Sequence, residues 1–288
     1  KVDIAKIDLE DEKVFTLFAK ARTTGIFQFE SDGMREYLKQ LKPTCIGDLI
    51  AMNALYRPGP MANIPEFIAR KNGSSKIDCI HPTLEPVLKE TYGIIVYQEQ
   101  VMQISQIIGG FTLAQGDMLR RAMGKKKAEI MAAFKVDFVD GAVKKSINKK
   151  LAVEIFDLLE KFAQYGFNKS HSTAYAYIAY QTAWLKTHYP AEFMSANLTS
   201  EMSNIDRVVI LINECRKLKI EVDPPDVNIS GTNFRPVDNK TISFGLNAIK
   251  NVGTKALDQI VEARDKHGKF ESLFDFTANV SLKSVNRK

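Results

Sequence analysis

The densest group of anion-handling residues is Arg120-Arg121-Ala122-Met123-Gly124-Lys125-Lys126-Lys127, with five basic side chains in eight positions. Guanidinium groups present a planar fork of donors that matches phosphate oxygens, and ammonium groups add compact point charges. The cluster therefore suits a polyphosphate held without a Walker loop, since no G-x-x-x-x-G-K-[ST] occurs. It suits a solvated helix end equally well, because cations are favoured there anyway. A second group, Tyr165-Gly166-Phe167-Asn168-Lys169-Ser170-His171-Ser172, precedes an Ala- and Tyr-rich stretch of helical pattern. Helix N-terminal N–H groups attract anions, Lys169 and His171 would reinforce them, and Tyr175 one turn further could stack on a base or sugar. The plainer reading is N-capping by Ser170 or Ser172. Third, Arg57-Pro58-Gly59-Pro60 is a rigid turn that either presents Arg57 or simply stops a helix. Fourth, Gly245 to Ala256 has the pattern helix, Asn-Val-Gly turn, helix, with Lys250, Val252, Gly253 and Lys255 at the turn. Such hairpins offer backbone N–H groups and lysines to a phosphate backbone without reading sequence. An ordinary helical hairpin is the alternative.

Other chemistries find little support. Asp8-Leu9-Glu10-Asp11-Glu12 alternates carboxylates, but no apolar strand holds them, so a solvated helix start is expected rather than a metal site. No Ser/His/Asp or Cys/His arrangement stands out. Cys45, Cys79 and Cys215 are too few and too widely spaced for a disulfide framework or a zinc site, which favours a reducing, cytoplasmic setting.

The elements that must position these groups are mostly helical in pattern. Of 288 residues, 45% are hydrophobic and 26% charged, enough for a packed core and an ordinary soluble surface. No apolar run reaches the roughly 20 residues of a membrane helix, and no signal peptide is visible. The net charge of +6 is local: residues 110–190 hold thirteen Lys/Arg against seven Asp/Glu, and the rest hold 27 of each. That excess suits a polyanionic partner or a solvated face. Val101, Ile104, Ser105 and Ile108 share one helical face, and Val153, Phe156, Leu159 and Phe162 form a stripe on another helix. Gly25 to Glu30 alternates like a short strand, and Leu84 to Glu90 reads as helix. A helix is expected from Ser172 to His188. After Pro224-Pro225 the texture changes: Asn233–Val237 and Thr241–Phe244 read as a β-hairpin, followed by the helical hairpin. The expectation is a mainly α protein with a multi-helix domain over residues 1–225, then a small β-hairpin and helix-hairpin-helix segment over 226–288. Both ends read as cuts within a longer protein.

In order and with matching gaps, GIFQFESDGMR (25–35), ALYRPGPM (54–61), ETYGIIVYQEQVMQI (90–104), DMLRRAMGKKK (117–127), EKFAQYGFNKSHSTAYAYIAYQTAWLKTHYPAEFM (160–194) and GLNAIKNVGTKAL (245–257) resemble the alpha subunits of bacterial DNA polymerase III. The resemblance implies the fingers region plus the start of the tandem helix-hairpin-helix region of a DNA-directed DNA polymerase. In that family two divalent metals, Mg²⁺, held by three palm aspartates join dNTPs to a primer. None of the motifs carrying those aspartates is present, so no residue of this chain is expected to be catalytic. The resemblance places Arg120, Arg121 and Lys125 by the incoming triphosphate. It places Asn168, Lys169, Ser170, His171 and Tyr175 around the nascent base pair, and Arg57, Pro58 and Gly59 near template or nucleotide. Lys126, Lys127, Lys250, Val252, Gly253 and Lys255 would meet DNA. Implied partners are primer-template DNA, dNTP and, for the whole subunit, the sliding clamp, clamp loader and proofreading subunit. The competing reading is a stand-alone, non-sequence-specific nucleic-acid-binding module.

Overall fold

The computed structural model describes residues 2–124, 128–163 and 165–281. It is mainly helical. The helices are α1 (Glu12–Ala19), α2 (Asp32–Leu41), α3 (Ile46–Leu55), α4 (Ile64–Lys71), α5 (Glu85–Leu88), α6 (Gln98–Ile107), α7 (Leu113–Gly124), α8 (Ala128–Lys144), α9 (Lys149–Ala163), α10 (Lys169–His188), α11 (Pro190–Ser200), α12 (Ile205–Lys217), α13 (Thr254–His267) and α14 (Leu273–Asn279). The strands β1 (Glu221–Val222), β2 (Arg235–Asp238) and β3 (Thr241–Ser243) form one small sheet.

Local chemistry sets most helix starts. Asp11, Ser31, Asn204 and Ser272 cap α1, α2, α12 and α14 through their side chains. Asn148 Oδ1 accepts from Lys150 N at 2.8 Å ahead of α9. Thr112 and Gln115 form a reciprocal capping box on α7, the helix of the arginine pair: Gln115 N donates to Thr112 Oγ1 at 3.2 Å and Thr112 N to Gln115 Oε1 at 2.8 Å. Asp11 is thus a cap within the acidic run.

Packing divides the described chain into two compact units. One contains residues up to 23 together with 27–181, and the other 24–26 with 182 onward. The change of texture near residue 225 lies inside the second unit. In the first unit, α6, α7, α8 and α9 share a core in which Val101, Ile104, Ile108, Leu119, Phe138, Phe156 and Leu159 are buried. Both expected apolar stripes face it, with Val153 and Phe162 at its margin. Here α8 comes so close to the turn after α6 that a Cβ on Gly141 would lie 1.8 Å from Gly109 O, so only glycine permits the approach.

In the second unit Lys186 and Glu214 are almost fully buried and joined at 2.7 Å; Lys186 Nζ also donates to Thr24 O at 2.9 Å. Thr24 Oγ1 donates to Glu214 Oε2 at 3.2 Å. β3 lies between β1, its parallel neighbour, and β2, its antiparallel one. A separate cluster of Leu246, Leu257, Ile260, Phe270 and Val280 packs α13 against α14.

The structure corrects several local expectations. Residues 25–30 form turns rather than a strand, because Gly25 and Gln28 take positive φ of 79° and 65°. Ile26 and Phe29 are buried while Phe27 is exposed, a spacing that alternation misread. The expected helix at Leu84–Glu90 breaks into 3₁₀ turns around α5. The first helix of the C-terminal hairpin shrinks to one 3₁₀ turn, Leu246–Ala248. The expected β-hairpin is present, but β1 joins it as a third strand.

Candidate nucleotide and nucleic-acid site

Three of the four chemical groups picked out by sequence lie in the first unit. α10 begins at Lys169, three residues earlier than expected, and its cap is Asn168, whose Oδ1 accepts from His171 N at 2.8 Å. Ser172 is no cap: it is buried, and its Oγ donates to Ile50 O at 2.6 Å. Ser170 is exposed in the first turn. The N-terminal end of this helix already holds a carboxylate. Lys169 N donates to both oxygens of Glu99 at 3.1 and 3.0 Å, and Asn168 Nδ2 to Oε1 at 3.0 Å. Lys169 Nζ pairs with Glu90 at 2.6 Å.

Planar groups line up beside this turn. Phe27 meets Tyr175 with ring centroids 5.3 Å apart, Tyr175 meets His171 at 4.4 Å, and His171 meets Phe167 at 5.4 Å. The Arg57 guanidinium closes the series, 4.5 Å from the Phe167 centroid. Arg57 is fixed further by donating through Nε to Ala54 O at 2.9 Å and through Nη2 to Tyr165 O. Desolvation lowers its pKa, but a guanidinium stays charged at any physiological pH. Gly59, at φ +97°, lets the Tyr165 ring pack on the turn; a Cβ there would lie 2.4 Å from that ring. Pro58 is exposed at the same turn.

The arginine pair reaches the same segment by another route. Arg120 Nε and Nη2 donate to Asp117 Oδ1 at 3.0 and 2.7 Å, and Arg121 pairs with Asp117 Oδ2 at 2.7 Å. Hydrogen bonding from Arg120, aided by both positive charges, holds the Asp117 carboxyl below its ordinary range. Arg120 Nη1 also donates to Gln98 Oε1 at 3.3 Å. Gln98 in turn donates from Nε2 to Gly166 O at 3.1 Å and from its backbone N to Phe167 O at 2.9 Å. A single parallel bridge pairs Tyr97 with Phe167. Lys125, Lys126 and Lys127 lie outside the described residues.

The tie between Arg120 and residues 166–167 was invisible in sequence because Gln98 and Gly166 are 68 positions apart. Glu90 and Glu99 were missed for the same reason. Asp117 could have been found, since it precedes Arg120 and Arg121 by three and four positions, the spacing of helical pairs.

The fourth group stands in the second unit. Lys250, Gly253 and Lys255 are exposed, and Val252 packs against the Leu257 cluster. Gly253 precedes α13 at an ordinary φ of −82°, and a Cβ there would meet nothing within 4 Å. Neither backbone geometry nor a contact within the described chain requires glycine at this point.

Comparison with known proteins gives the family. Residues 219–288 match a helix-hairpin-helix motif, and residues 1–146 match the bacterial DNA polymerase III alpha subunit finger domain. The class of module is thus a polymerase finger region followed by a helix-hairpin-helix segment. The chain belongs to the bacterial DNA polymerase III alpha subunit family. It is 52% identical over its whole length to DNA polymerase III subunit alpha of Pseudomonas aeruginosa, 50% to that of Escherichia coli K12, and 52% over 99% of its length to that of Borreliella burgdorferi. In each case it spans 25% of the relative's length.

Proposed function

We propose that this chain positions an incoming dNTP and primer-template DNA for nucleotidyl transfer within a replicative DNA polymerase. The observation that carries the reading is the convergence of Arg57, through Tyr165 O, and Arg120, through Gln98, on the 165–171 turn that bears His171 and begins α10. Arg120 and Arg121 supply charge for the triphosphate. Arg120 commits three of its five N–H groups, leaving two for phosphate oxygens. Lys125 continues the basic run. The rings of His171 and Tyr175, tilted 40° to each other, supply an aromatic wall for a new base pair, with Asn168, Lys169 and Ser170 shaping its approach and the Arg57–Gly59 turn behind it. Selection by pair shape lets one wall serve four nucleotides. Lys126, Lys127, Lys250, Val252, Gly253 and Lys255 contact DNA, and the bare backbone at Gly253 suits close approach of a phosphate strand.

The described residues include no group of three His, Cys, Asp or Glu able to hold a metal. In this reading the metals of the transfer step are held elsewhere in the subunit, and the residues of this chain contribute charge and shape. No described helix is long and apolar enough to cross a membrane. Sliding clamp, clamp loader and proofreading subunit are the partners expected of the complete subunit, in the cytoplasm.

Primer extension tests the reading. A full-length subunit carrying Arg120→Ala and Arg121→Ala should lose about 10²–10⁴ in kcat/KM for dNTP, since charge-assisted hydrogen bonds contribute about 1.5–3 kcal/mol each. The 288-residue chain alone should not extend a primer. Normal extension by the double variant, or extension by the chain alone, would refute the proposal. Tight, salt-sensitive DNA binding by the chain, with extension by the full-length subunit unchanged by the arginine substitutions, would favour a stand-alone DNA-binding module.

A further inference from the structure

A cavity of about 430 Å³ lies among α4, the 78–95 segment, the end of α9 and Tyr165. That volume is in the range of cavities that hold small organic groups. Its wall is mostly apolar, with Ile94, Ile95, Leu158, Phe162 and Tyr165. Leu158 and Tyr165 are 43% and 42% exposed, so apolar surface is open to an occupant. Two left-handed glycines let the rest of the wall close in. A Cβ on Gly59, at φ +97°, would lie 2.4 Å from the Tyr165 ring, and one on Gly93, at φ +81°, would lie 2.7 Å from Arg70 Nη1. Three charged groups line the cavity. Arg70 is committed to Glu66 at 2.7 Å and to the carbonyls of Asp78 and Tyr92 at 3.1 and 3.2 Å. Asp78 Oδ1 accepts from Ile80 N at 2.8 Å. Lys161 is exposed, and its ammonium pairs with none of the described residues. An open aromatic and aliphatic wall with an uncommitted cation beside it has the chemistry of a single-stranded nucleic-acid subsite, where a base stacks and a phosphate meets positive charge.

We propose that this cavity receives the first unpaired template nucleotide beyond the templating base, stacked on Tyr165 with its phosphate toward Lys161. The inference rests on the assignment of His171 and Tyr175 to the wall of the new base pair. A wall against that pair takes the place where the next template base would stack, so that base must turn away and find another apolar face. Tyr165 stands where such a face is needed. It is two residues before Phe167, at most about 7 Å along the chain. That is one or two steps of a strand that rises about 3.4 Å per nucleotide. The same turn thus serves both places, since Phe167 meets His171 in the planar series and Tyr165 lines the cavity. Arg57 joins the two, with its guanidinium 4.5 Å from the Phe167 centroid and a hydrogen bond to Tyr165 O. Apolar lining accepts any base by its face, as a template position that is not yet being copied requires.

The test is single-nucleotide incorporation by the full-length subunit on two primed templates. One template strand ends at the templating base, and the other continues by one nucleotide. The wild type should use the longer template about tenfold better in kcat/KM for DNA, as expected for one stacked base. An abasic residue at the added position should keep only about twofold, the share of the added phosphate at an exposed cation. Tyr165→Leu should show the same twofold ratio with the base present, whereas Tyr165→Phe, which keeps the ring, should keep the tenfold ratio. Equal use of the two templates by the wild type overturns the proposal. So does an abasic template as good as the intact one, a comparison that needs no variant, and so does Tyr165→Leu with the full ratio. The Arg120→Ala and Arg121→Ala double variant separates the two levels of the argument. If it extends primers normally, the functional reading itself fails. If it is impaired while the wild type uses the two templates equally, only the template cavity falls.

Discussion

Lys186→Met should remove the cation from one of the most deeply buried ion pairs described in the chain. The Lys186 side chain is 0% exposed and that of Glu214 6%. The substitution keeps the apolar stem but leaves the Glu214 carboxylate with Thr24 Oγ1 at 3.2 Å and the exposed Lys217 ammonium at 3.8 Å. Breaking a buried pair from one side costs about 3–5 kcal/mol, because the remaining charge stays desolvated. In a unit of this size each kcal/mol lowers Tm by several degrees, so a fall of at least about 10 °C is expected. The assay is convenient: Trp184 is the chain's one tryptophan and lies two residues away, so its fluorescence follows the loss of this unit. Lys186→Met with Glu214→Leu should recover much of the loss, since apolar replacement of both partners is commonly near neutral. pH adds a second signature. Burial pushes the Glu214 carboxyl up, but attraction to Lys186 and hydrogen bonds from Lys186 and Thr24 outweigh it, and its pKa falls below 4.5. The wild type therefore gains stability from this group above pH of about 4.5 and loses it as pH drops through the lower folded value. In Lys186→Met that contribution is gone, so the gap between variant and wild type should narrow in acid. A single variant within about 2 °C of the wild type would refute the reasoning, as would a double variant no better than the single.

Two further outcomes are expected. Asp117→Asn in the full-length subunit should raise the KM for dNTP several-fold with little change in kcat, because a neutral amide cannot hold both guanidinium groups while Gln98 still holds Arg120. A lower KM in steady-state incorporation would show instead that the carboxylate competes with the triphosphate. Gly141→Ala should cost about 3 kcal/mol or more by denaturant titration, since its Cβ would meet the backbone at Gly109 O, which no rotamer can relieve. An unchanged midpoint would show that α8 can shift freely.

Helix positions were well written into the sequence wherever a 3.6-residue apolar period was plain, as for the stripes of α6 and α9. Reading failed where backbone sign decided the conformation. The turn at 25–30 depends on a left-handed Gln28, and nothing in residue type announces that. The arginine pair, the Phe167–His171 turn and Arg57 were readable as chemically unusual groups. Their convergence was not, because it runs through Gln98, the carbonyls of residues 165 and 166 and the Glu99 carboxylate, all distant in sequence from the groups they hold.

Gln98 carries a consequence of its own. Its side chain grips Arg120 with the oxygen and the Gly166 carbonyl with the nitrogen, so it acts as a short rigid link between two places that would touch different parts of one nucleotide. If Arg120 meets the triphosphate and His171 the new pair, as proposed, a pull on Arg120 would be felt at the turn that sets His171, and a misfitting pair that displaced this turn would tug on Arg120. Charge recognition and shape recognition would then be one cooperative event. Replacing this one amide would blunt fidelity and substrate affinity together, although Gln98 itself need touch neither base nor phosphate.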